Sequence, residues 1–134
     1  MRAWQEGVYT LDDASMDGNH RHFVDLARRL ETASDEAFPA LFQELVDHTR
    51  LHFAEDGRLM RLHGFPALGE HEGEHHRVFG DLLQFNRQIK RGRIALPRAY
   101  VRRGLTEWFE LHLATMDAAL ARHIQSRTEL VVAG

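Results

Sequence analysis

Three prolines, Pro39, Pro66 and Pro97, each stand just ahead of a long stretch in which apolar residues recur three and four apart. Proline fits the first turn of a helix, where its missing N–H would have had no partner, and disrupts a helix interior or a central strand. Gly64 and Gly92 lie shortly before the second and third of these starts, where a left-handed residue ends a helix at no steric cost. The prolines and glycines therefore cut the chain into helices separated by short connections.

The spacing predicts four helices. The first covers residues 17–31, with His20, Phe23, Val24, Ala27 and Leu30 on one stripe. The second covers 36–63, through Leu41, Leu45, Thr49, His52, Asp56 and Leu59 or Met60, and the third covers 66–91, through Leu68, His71, His75, Val78, Leu82, Phe85 and Ile89. The fourth covers 97–126, through Val101, Leu105, Trp108, His112, Thr115 or Met116 and Ala119. Helices joined by a few residues pack as antiparallel neighbours. The expected fold is therefore all-α, an up-down-up-down four-helix bundle over residues 17–126 within a single domain of residues 1–134. Residues 1–16 form an arm whose Trp4, Val8, Tyr9 and Leu11 are too apolar for a free tail, so the arm is expected to pack across the bundle.

Composition narrows the chemistry. The chain has no cysteine, which excludes disulfides, thiolate metal sites and cysteine nucleophiles together. No apolar run approaches the roughly 18 residues needed to span a bilayer, and no apolar stretch follows Arg2, so neither a membrane span nor a secretory signal is expected. A cytoplasmic location is the expectation. A formal charge of -3 gives no general attraction to nucleic acid or to an anionic membrane.

The unusual count is ten histidines. His20, His52, His71, His75 and His112 fall where the apolar period would place core residues. His52 and Asp56 share a face at i, i+4, as do His71 and His75. Asp117 follows His112 by five residues, about 140° further round an α-helix, so both reach one centre only if it lies between them. Five imidazoles and two carboxylates converging in a core are costly unless something partners them. Transition-metal coordination does so, and nitrogen with carboxylate ligands and no sulfur suits iron, manganese or zinc. His22, His63 and His76 read as surface residues, His48 and His123 stay open, and Met16, Met60 and Met116 read as core fillers.

These residues carry a family resemblance. Trp4 and Tyr9 in the arm, Asp17-Gly18-Asn19-His20, His52-Phe53-Ala54-Glu55-Asp56 with Met60, His71-Glu72-Gly73-Glu74-His75 with Phe79, and Trp108, His112 and Asp117 follow one another in the order and spacing of the hemerythrins. The chain resembles the single-domain bacterial form over nearly its whole length. The resemblance implies a non-haem centre of two iron ions, oxo- or hydroxo-bridged, that binds dioxygen reversibly for storage, delivery or sensing. Carried over by position, His71, His75 and His112 hold one iron, His20 and His52 the other, and Asp56 and Asp117 bridge them. The implied oxygen pocket is lined by Phe53, Trp108, Leu113 and Ala114, within apolar surroundings that include Phe23 and Phe79. Glu74 or Glu55 is expected to accept hydrogen bonds from ring nitrogens that do not face metal. Dioxygen is the expected partner, with an oxygen-consuming enzyme as a further one, and the chain is expected to be a monomer that binds neither nucleic acid nor membrane.

Two positions depart from the family pattern. Asp56 and Gly57 stand where the family usually has two glutamates, which shortens one bridge by a methylene, with Glu55 as a substitute and Gly57 as a point of local adjustment. Ala114 stands where oxygen carriers tend to have a bulky aliphatic residue, so a roomier pocket and faster autoxidation are expected, and Ala114→Leu is expected to slow it. The alternative function is a di-iron redox enzyme on the same site, a peroxidase or a nitric-oxide-handling protein. A ferritin-like oxidase ranks lower because only Glu72 with His75 supplies a Glu-x-x-His pair near the core. A metal-free or zinc-bound interaction module is the remaining class.

Overall fold

The computed structural model describes residues 1–133, which contain four helices and no strand. Helix α1 is Ala14–Thr32, α2 is Phe38–Leu62 and α3 is Leu68–Lys90. The fourth, α4, runs without a break over residues 95–133 but changes winding twice, with π turns at Tyr100–Gly104 and Leu113–Asp117. The first three helices match the expected stretches to within three residues at either end, and α4 begins two residues ahead of Pro97 and continues past Ser126.

The punctuation acts largely as the sequence implies. Pro39 sits in the first turn of α2. Gly64 and Gly92 have φ of 59° and 79° and end α2 and α3, since only a residue without Cβ adopts that conformation freely. Pro66 lies in the connection, two residues before α3. Helix α1 has a side-chain cap at its start: the Asp13 carboxylate accepts from the Met16 N–H at 3.0 Å, satisfying one of the free N–H groups of the first turn. Asp12 turns the chain into this cap with φ 56°, a left-handed conformation that aspartate tolerates better than most residues.

Helix α1 packs on α2, α2 on α3, α3 on the start of α4, and the first π turn of α4 closes the ring against α1. Two apolar clusters fill this bundle. The larger includes Phe23 and Leu30 of α1, Phe42 and Leu45 of α2, Leu82 and Ile89 of α3, and Val101 and Phe109 of α4. The smaller joins Met16, Met60, Leu120 and Ala121 at the opposite end. Along every helix, the histidines and aspartates singled out above fall between residues of the two clusters. The antiparallel threading thus brings one polar level of four separate helices to a common depth.

In the arm, Tyr9 joins the larger cluster, lies edge-on to Phe109 at 6.0 Å and donates its hydroxyl to Glu110 at 3.2 Å. Trp4 and Leu11 are partly buried against the core, whereas Val8 is 59% exposed. Gln125 of α4 donates to the Leu11 carbonyl at 3.0 Å. No helix of the described residues is long and apolar enough to cross a membrane.

Candidate metal centre

All seven predicted ligand residues are buried: His20, His52, Asp56, His71, His75, His112 and Asp117. Their inward atoms converge. The Asp117 carboxylate lies at the centre, with Oδ1 3.2 Å from Nε2 of both His71 and His112 and Oδ2 3.1 Å from Nε2 of His20. Asp56 presents Oδ2 to His52 Nε2 at 3.3 Å and to His75 Nε2 at 3.9 Å. The Nε2 atoms of His75 and His112 are 3.1 Å apart, about the separation of two nitrogens that ligate one ion at right angles with bonds of about 2.1 Å. His71, His75, His112 and Asp117 offer ligand atoms that all lie within 4.8 Å of one another. His20 and His52, with ring centroids 5.0 Å apart, occupy the other side.

The π turn Leu113–Asp117 resolves the angular offset that regular α-helical winding would impose between His112 and Asp117. Its Ala118 N–H reaches back five residues to the Leu113 carbonyl, so residues five apart stand about one turn apart and both side chains face the same atoms. Nothing in the apolar spacing of α4 signals this extra residue except the His112–Asp117 interval itself.

The donor set suits metal ions on a further ground. Among the buried side-chain atoms without a hydrogen-bond partner are Nε2 of His20, His52 and His71, both oxygens of Asp56, and Oδ1 of Asp117. Buried polar atoms are nearly always satisfied, and so dense a group of lone pairs aimed inward calls for a cation. The electrostatics keep ligands in the required forms. Burial pushes the His75 imidazole down to about 2, with His71 and His112 adding to the effect. Burial acts to raise the Asp117 carboxyl, but the ring nitrogens of His112, His20 and His71 close beside it outweigh burial and hold the group well below the carboxylate range.

Several expectations require correction. Glu55 does not turn inward: it pairs with Arg58 at 2.8 Å on the surface, leaving Asp56 as the carboxylate that α2 sends to the centre. Neither Glu55 nor Glu74 accepts from a ligand imidazole. Glu74 instead accepts from Trp108 Nε1 at 2.8 Å and pairs with Arg77, and it is the Trp108 ring that stacks on His112, at 4.7 Å. Ala114 is exposed and does not line the cavity beside the centre; two residues after His112, it stands about 200° round the helix from that imidazole and faces outward. That cavity is lined by Phe23, Phe53, Trp108 and Phe109 together with His20, His52, His112 and Asp117. Phe53 stacks on His75 at 3.8 Å. Leu113 is buried in the larger apolar cluster without lining the cavity. The sequence reading missed Phe109, although Leu105 four residues earlier on the stripe pointed to it. At Gly57 a Cβ would meet Glu72 Oε2 at 2.9 Å and Arg61 Nη1 at 3.0 Å, the far ends of the Arg61–Glu72 pair that joins α2 to α3. His22 and His76 are exposed, and His63 is half-buried. His48 is half-buried and bonded through Nε2 to the Asn19 carbonyl, and His123 bonds likewise to that of His63.

Comparison with known proteins agrees with this geometry. The family model described as the hemerythrin HHE cation binding domain matches residues 12–124. A bacteriohemerythrin of Ralstonia nicotianae is 33% identical over 124 residues, covering 92% of this chain and 89% of the relative. A bacteriohemerythrin of Stenotrophomonas maltophilia is 24% identical over 127 residues, covering 92% of this chain and 81% of the relative. A match that spans the seven buried histidines and aspartates and nearly the whole bundle goes beyond a shared architecture, and the chain belongs to the hemerythrin family.

Proposed function

We propose that this chain binds dioxygen reversibly at a pair of iron ions. In this reading His71, His75 and His112 hold one ion, His20 and His52 hold the other, and Asp56 and Asp117 span both. The observation that carries it is the division of the Asp117 oxygens, Oδ1 toward His71 and His112 and Oδ2 toward His20, which is how a carboxylate serving two ions distributes its lone pairs. Two ferrous ions, when bound, supply the electrons that dioxygen takes up on binding and returns on release.

The remaining work falls to the protein. Unprotonated Nε2 atoms are needed for ligation, and burial provides one in His75. The stacked pairs Phe53 on His75 and Trp108 on His112 fix the planes of two imidazoles. Phe23, Phe53, Trp108 and Phe109 enclose a cavity of about 10 Å³, room for about one water-sized molecule. An organic substrate does not fit that space, which favours carriage, storage or sensing of a small ligand over oxidation of a larger molecule. The same apolar walls keep bulk water from the centre.

The test is the absorption spectrum of the iron-loaded protein, reduced with dithionite without air and then exposed to oxygen. A visible band should appear with oxygen, vanish when it is removed and return on readmission, with two iron ions per chain. Ferric features that never reverse would reject reversible binding and favour the redox-enzyme reading, and absence of iron from the freshly isolated protein would reject both.

A further inference from the structure

Charge is distributed unevenly along this chain. Residues 82–106 carry Arg87, Lys90, Arg91, Arg93, Arg98, Arg102 and Arg103 and none of the 20 Asp and Glu. The weakly negative total hides a strongly basic segment set against a strongly acidic remainder. The segment covers the end of α3, its connection to α4 and the first turns of α4, all at the end of the bundle that holds the larger apolar cluster.

Ion pairing separates these cations into two groups. Arg98 is anchored, bonded to Asp35 at 2.8 Å and to the Ala33 carbonyl at 2.7 Å and lying over the Phe38 ring, and Arg103 lies 3.8 Å from Glu107. Lys90 and Arg102 are exposed and form no ion pair among the described residues, and the same holds for Arg87, Arg91 and Arg93. These three line a groove of about 680 Å³ beside the α3–α4 connection. Gln84 and Gln88 line it too, and Ile94, Ala95 and Leu96 form an apolar wall. Leu96 is 65% exposed. Favourable helix electrostatics account for Arg87 near the end of α3, but not for Arg93, which precedes α4, where a helix field disfavours a cation.

We propose that this groove binds a nucleoside phosphate. Planar guanidinium forks match phosphate oxygens, the amides of Gln84 and Gln88 offer both donors and acceptors to a base or sugar, and the apolar wall supplies a surface for the flat face of a base. The volume lies within the range of small-molecule sites, and the concavity suits a compact ligand where a flat anionic bilayer would not enter. The assignment is independent of the metal centre, which lies deeper in the bundle between the two apolar clusters.

Titration of the full-length, metal-loaded protein with ADP and with GDP, followed by calorimetry, tests it. Saturable binding of at least one is expected, tighter than that of inorganic phosphate. It should weaken by on the order of tenfold or more in Arg87→Gln/Arg91→Gln/Arg93→Gln, whose exposed positions leave the core untouched. Leu96→Glu, which places a carboxylate on the apolar wall, should also weaken it. Melting curves matched to the parent protein establish that each variant is folded. Equal affinity for inorganic phosphate and both nucleotides would overturn the proposal, as would nucleotide affinity unchanged in the triple variant. So would no nucleotide binding alongside retention on phosphatidylserine vesicles, which would make the basic end a membrane-facing surface instead.

Discussion

At the scale of single residues, Asp56 marks where this chain has its own geometry. Its Oδ2 sits closer to His52 than to His75, at 3.3 against 3.9 Å, so the carboxylate leans toward one side of the centre. Glutamate adds one bond length, about 1.5 Å, and centres the group between the two imidazoles. Asp56→Glu should therefore keep the metal content of the parent protein and slow metal loss to a chelator. Metal analysis and the chelation rate check this, and faster loss would show that the short arm is already matched to its neighbours. Ala114 illustrates the opposite case. Because it is exposed, Ala114→Leu should leave the autoxidation rate unchanged and shift stability by no more than about 0.5 kcal/mol. A slower rate would mean that the outer face of the π turn communicates with the cavity. The seven buried histidines and aspartates of the candidate centre were legible because a polar residue on an apolar stripe is conspicuous. The outward side of Ala114 was legible too, since two residues place it about 200° round the helix from His112; how Asp117 comes to face the same centre as His112 was not, because it depends on one extra residue in a turn.

At the scale of elements, that extra residue is the main thing periodicity hides. Proline and glycine placed the first three helices closely, since both act through local sterics that any reader of the chain can apply. The two π turns of α4 leave no such mark, and beyond them the buried face passes through Phe109, Leu113, Asp117, Leu120 and Ala121 instead of Trp108, Thr115 and Ala119. The second turn stands beside the centre, in keeping with the tendency of such turns to gather at functional sites. Helix starts differ in a way that can be measured. Helices α2 and α3 have no side-chain cap, whereas Asp13 caps α1, the helix that delivers His20. Asp13→Ala should cost about 1 kcal/mol of stability, read as a lower denaturation midpoint. Amide exchange should quicken in the first turn of α1 and stay unchanged in α2. An unaltered midpoint would show that the contacts of Met16 in the smaller apolar cluster hold the helix start without the cap.

At the scale of the whole molecule, four helices are joined at mid-height by a group of charges and lone pairs, so stability, metal content and pH are one problem. In protein stripped of metal by a chelator, burial pushes His48 down to about 4, with His52 and His22 adding to it, and pushes His75 down to about 2. Below the ordinary histidine value of 6.5 the unfolded chain then binds more protons than the folded one, and stability falls as the solution is acidified. His52 acts in the other direction. Burial lowers its proton affinity, but the Asp56 carboxylate beside it, with Asp117 behind, raises it overall. The stabilisation from its proton is complete below 6.5 and is lost as pH rises through the elevated value. Asp117, held low, titrates only in stronger acid. The stripped protein should therefore be most stable near the ordinary histidine value and melt earlier on either side of it. Metal requires His52 unprotonated, so loading should raise the melting temperature and abolish the alkaline decline while keeping the acid one, where protons compete for the ligands. Melting curves across about pH 5 to 8, with and without metal, check both limbs. An alkaline decline that survives metal loading would place the proton of His52 outside the centre and remove that imidazole from the ligand set.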